Sequence, residues 1–197
     1  EAGKNGKEYR STLGRKPIGG IFSVGVEEPY RWKDSVQNAA EIRLWVADGV
    51  ANGLRPWFTK FSGVLHDRRW LPVVEQIYTR YWRWERYLRN QEPIARVGLV
   101  YSQQTAWHYG GGKAARSADE YIHGMYQALI EARIPFEMVH DGLLNEAHTR
   151  PFKLLLLPNI AALSETQCAQ LRGFVRRGGS LLATLETSLY DESGVRR

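Results

Sequence analysis

Arg96–Gly112 reads RVGLVYSQQTAWHYGGG, and with the residues that follow it to Thr184 it decides the fold. An apolar run at 97–101 predicts a strand. A helix is expected from Ser117, then a strand in PFEMVH (135–140), a strand in KLLLLPN (153–159), a helix from Ser164 and a last strand in GGSLLAT (178–184). Ser117 with Glu120, and Ser164 with Gln167, each fit a capping box, where the serine oxygen takes an orphan N–H of the first turn. The unbroken apolar run Leu154–Leu157 predicts a strand covered on both faces, as in a parallel sheet between helices. Gly178-Gly179 ends the second helix and permits a tight return. The expected product is an α/β, doubly wound, flavodoxin-like domain over residues 91–197. Its helices should bury Tyr121, Met125, Ala128, Leu129 and Ala132 on one stripe and Cys168, Leu171 and Val175 on the other.

Upstream of the polar join Gln91-Glu92-Pro93, residues 1–90 carry a second pattern. GGIFSVGVE (19–27) predicts a strand, and Ile42, Trp45, Val46, Gly49 and Val50 recur at helical spacing. RPWFTKF (55–61) predicts another strand, and a helix is expected from Pro72 to Leu88 with Val73, Ile77, Tyr81, Trp84 and Leu88 as its stripe. Trp45 and Trp84 are accordingly expected in the core. Two β-α units in series demand parallel pairing, yet two parallel strands alone lack cover, so neighbours are expected from upstream residues or another copy.

Composition narrows the function. The chain has 197 residues, 43% hydrophobic content, one Cys and a formal charge of +6. No apolar run approaches the roughly 20 residues of a membrane span, so no membrane partner is expected. The basic residues are dispersed among acids and aromatics, as in RYWRWERYLRN (80–90), which argues against nucleic acid as a partner. No export signal follows Glu1, and the expected location is cytoplasmic. The chain opens on Glu1, and 190–197 reads as a loop leaving a strand, so both ends are expected to lie inside a longer protein.

Few residues have the pattern of chemistry. Glu27 and Glu28 stand at the carboxyl end of the first strand, where β/α-barrel enzymes place catalytic groups. Alternation puts Phe22, Val24 and Val26 under the helices and Ser23, Gly25 and Glu27 on the opposite face, so Glu27 is the better candidate. Trp32, Trp57 and Trp107 fall in or beside strand-end loops, where an indole can lie on the C–H face of a sugar. His66 could touch substrate, but no second His stands at ligand spacing, and 66–69 (HDRR) reads as an ion-pair cluster; no metal and no cofactor are expected. Gly110–Gly112 matches neither phosphate-binding glycine pattern and reads as a surface loop. Cys168, on an apolar stripe, reads as a buried small hydrophobe.

The run KLLLLPNIAALSETQCAQLRGFVRRGGSLLATLETSLYDESG (153–194), with ARVGLVYSQQTAW (95–107) and YQALIEARIPFEMVH (126–140), resembles the trimerisation domain of family-42 glycoside hydrolases, the β-galactosidase type. That domain is similar to class I glutamine amidotransferases without their active site. Where such an enzyme carries its Cys after the third strand, this chain has Pro158-Asn159-Ile160-Ala161-Ala162. Residues 20–35 and 55–63 resemble the last two β-α units of a glycosidase (β/α)8 barrel. The resemblance implies a glycoside hydrolase parent acting on a carbohydrate, a homotrimer, and Glu27 as nucleophile followed by Trp32, with Glu28 in the alternative register; Trp57 and His66 join Trp32 as expected sugar contacts by their positions alone. The acid/base carboxyl would lie outside the chain, leaving it inactive alone. The alternative is a non-catalytic interaction module of amidotransferase-like fold.

Overall fold

The computed structural model describes residues 2–25, 35–60, 66–88, 93–109 and 115–197, with the backbone alone at 115–118. They form two compact units, 1–92 and 93–197.

The first unit runs α1 (Ala2–Leu13), β1 (Ile18–Ser23), α2 (Ala39–Ala51), β2 (Leu54–Thr59) and α3 (Leu71–Trp84), closed by a 3-10 turn at Glu85–Tyr87. β1 and β2 pair in parallel, with Ile18 opposite Leu54 and Ser23 opposite Thr59. Ile18, Phe22 and Val24 are buried together with Ile42, Val46 and Val50 of α2 and Val73 and Ile77 of α3. The expected alternation therefore holds for Phe22 and Val24, and each such burial is worth about 1.5–3 kcal/mol against exposure. Trp45 and Trp84, expected in the core, are 42% and 46% exposed. Trp45 lies at the rim of its stripe, and Trp84 is the last residue of α3, two turns beyond the buried Ile77.

α1 was not legible, because AGKNGKEYRSTL has no apolar stripe. It packs through small residues instead. Ala2, Gly3 and Gly6 are buried, and a Cβ on Gly3 would stand 2.4 Å from the Asp48 carboxylate of α2. That carboxylate accepts the Gly3 N–H at 2.6 Å, satisfying a first-turn donor where negative charge also favours the helix dipole.

The second unit contains β3 (Val97–Tyr101), α4 (Gln103–His108), α5 (Ala115–Glu131), β4 (Phe136–His140), α6 (Glu146–Thr149), β5 (Leu154–Leu157), α7 (Glu165–Arg176) and β6 (Ser180–Ala183). Its four strands are all parallel, in the order β4-β3-β5-β6. Leu99, Val100, Leu155, Leu156 and Leu157 are almost wholly buried, as a strand covered on both faces requires. The Ser164–Gln167 capping box is present in both directions. α5 begins at Ala115, two residues before the expected start, which puts Ser117 inside the first turn.

The expected stripes hold at Leu129, Cys168 and Leu171 and shift at the other positions. On α5 the buried residues are Ile122, Tyr126 and Leu129, while Tyr121 is 41% exposed; on α7 Phe174 is buried beside Cys168 and Leu171, and Val175 is 46% exposed. The apolar residues of each helix occupy two neighbouring ridges, and the sheet takes the one that faces it.

Candidate functional site

In the first unit the site-bearing strand is β1. One face is packed beneath the helices; the other exposes Gly19 and Ile21, with Ile21 62% exposed. Ile21 stands in register with Trp57 of β2, itself 61% exposed, so the two form a bare apolar strip across the strand pair. Trp57 thus lies within a strand rather than in a loop beyond it. At the carboxyl end the chain turns on Ser23, whose hydroxyl donates to the Gly25 carbonyl at 3.0 Å and accepts the Gly25 N–H at 3.2 Å. Val24 N–H donates to the Thr59 carbonyl, extending the pairing one residue further. Glu27, Glu28 and Trp32 lie outside the described residues. A hollow of about 470 Å³ opens beside β1, lined by Asn5 and Tyr9 of α1, Gly19 and Ser23 of β1, and Trp45 of α2.

His66 is exposed. Beside it, Arg69 forms a two-pronged ion pair with Asp67, its Nη2 2.5 Å from Oδ2. The hydrogen bonds from Arg69 hold the Asp67 carboxyl down at about 2. Trp107 is 73% exposed on α4, again on an element rather than in a loop. Gly110–Gly112 lie outside the described residues.

In the second unit, the place where an amidotransferase-like sheet would carry a nucleophile is the turn after β5. Asn159 there has the left-handed backbone (φ +52°) and is 2% exposed. Its N–H donates to Thr184 Oγ1 at 3.1 Å, and its side-chain oxygen accepts from Glu186 N–H at 3.2 Å. Ile160, Ala161 and Ala162 behind it are buried. The turn is sharp, and its side chain is an amide that cannot attack and is already engaged.

The neighbouring carboxyl ends are filled by a polar network that no sequence pattern announced. Ser102, after β3, donates to Asp141 Oδ2, after β4, at 2.6 Å, and Gln104 N–H donates to the same oxygen at 3.3 Å. The Gln104 amide reaches across to the Ala162 carbonyl and to Gln167, and Gln167 donates to the Asp141 carbonyl. Thr105 Oγ1 accepts from Ala162 N–H at 3.2 Å. Asp141 is 3% exposed. The network occupies the crevice at which open α/β sheets otherwise bind ligands. Close by, Tyr109 donates to the Glu186 carboxylate, and that bond, with partial burial, raises the phenol above its ordinary range.

Cys168 is buried on α7, with Sγ 3.3 Å from Ser188 Oγ and 3.8 Å from Arg197 Nη1. It lies on a helix and not in the turn after β5, though it packs in one cluster with Ile160. Among the described residues no group of three His, Cys, Asp or Glu is placed to hold a metal, and no helix is long and apolar enough to cross a membrane.

Residues 95–196, which hold this parallel sheet, match the β-galactosidase trimerisation domain. The chain belongs to that family. It is 27% identical over 103 residues to β-galactosidase GalA of Bacillus licheniformis, a stretch that is 50% of this chain and 15% of that protein. The β-galactosidase of Bacillus circulans sp. alkalophilus has a similar fold, with a TM-score of 0.81 at 17% identity over 98% of this chain and 31% of the other. A catalytic mutant of the GH42 β-galactosidase Gan42B from G. stearothermophilus gives 0.75 at 18% over 99% of this chain and 31% of the other. The trimerisation-family chain thus spans a third or less of the length of these relatives.

Proposed function

We propose that this trimerisation-family chain is the C-terminal portion of a glycoside hydrolase that cleaves β-galactosidic bonds. Residues 1–90 would supply the last two β-α units of its (β/α)8 barrel, and 91–197 a flavodoxin-like domain that holds the protein as a homotrimer. The observation that carries the reading is the family match over 95–196, immediately after a parallel strand pair with one face packed under helices and the other bare. The strand order β4-β3-β5-β6 supports the flavodoxin-like winding, and the filled crevice supports a scaffolding rather than catalytic role for the second unit.

In this reading the sugar meets the carboxyl end of the strand pair, and the bare face turns into the barrel. Glu27, four residues beyond the end of β1, attacks the anomeric carbon while a carboxyl from elsewhere in the parent protonates the departing oxygen. Trp32, Trp57 and His66 lie along the sugar. One carboxylate cannot act as both nucleophile and acid, so this chain alone is expected to be inactive on aryl β-galactosides.

The test is Glu27→Gln and, separately, Glu28→Gln in the full-length gene product. Glu27→Gln should abolish turnover at unchanged thermal stability, with Glu28→Gln milder. The reverse ranking would shift the register by one residue. Full activity in both variants would overturn the barrel assignment.

A further inference from the structure

We draw no further inference here: the strongest candidate, the basic surface patch of Arg96, Arg133, Arg150, Lys153 and Arg176 at the amino edge of the second unit's sheet, is accounted for in large part by the carboxyl ends of α5, α6 and α7 that meet there, and nothing in the structure shows what covers it.

Discussion

Gly49 seats α2 on β1 by having no side chain. A Cβ there would stand 2.5 Å from Phe22 Cζ and 3.1 Å from Cε1. Alanine would gain about 0.5–1 kcal/mol of helix preference, against about 1–3 kcal/mol for overpacking a core ring. Packing should win, because the Phe22 ring is buried and backed by Phe58 at 6.3 Å between centroids. Gly49→Ala is therefore expected to lower unfolding stability by about 1 kcal/mol in urea titration; a stabilised variant would show that the ring can move aside. Asp67 is the residue with a defined titration. Its carboxyl, held at about 2 chiefly by the Arg69 hydrogen bonds, is depressed relative to the unfolded chain. The contribution of the pair is therefore fully present above the unfolded value of about 3.9 and lost as pH falls toward 2. Carbonyl NMR should find the midpoint near 2. Arg69→Ala should raise it only part of the way toward about 3.9, since the backbone N–H of residue 69 still donates to the carboxylate.

Among the elements, α7 is the most firmly specified, since its cap is also a link in the crevice network. Ser164→Ala removes the oxygen that accepts Gln167 N–H and should cost about 1 kcal/mol. Gln167→Ala should cost more, about 1–3 kcal/mol, because it removes the bond to Ser164 N–H and also leaves the Asp141 carbonyl and the Gln104 amide without that partner. Equal losses in urea unfolding would mean that the links to β4 and α4 contribute nothing. The cap was legible because all of its atoms lie within four residues. The stripes of α5 and α7 were not, since Tyr121 and Ile122, or Phe174 and Val175, fit a period of 3.6 equally well.

At the scale of the molecule, β6 is a parallel strand whose residues are all exposed, with Leu181 38% and Leu182 44% exposed on opposite faces. Parallel strands are ordinarily buried on both faces, so this edge favours association. In the proposed reading the full-length gene product should sediment as a closed trimer; a monomer throughout the micromolar range would refute the trimerisation role. The sequence by itself determined every strand, the helices α2, α3, α5 and α7, and the absence of a nucleophile after β5. Each of these rests on residues near one another in the chain: an apolar run, a cap, a Gly-Gly stop. Only the tertiary structure decided which ridge of each helix is buried, that α1 exists by docking glycines against Asp48, that Trp45 and Trp84 stay in water, and that Ser102, Gln104, Asp141 and Gln167 close the crevice. Those outcomes depend on partners 26 to 63 residues apart, whose meeting is set by how helices and strands pack rather than by any local preference.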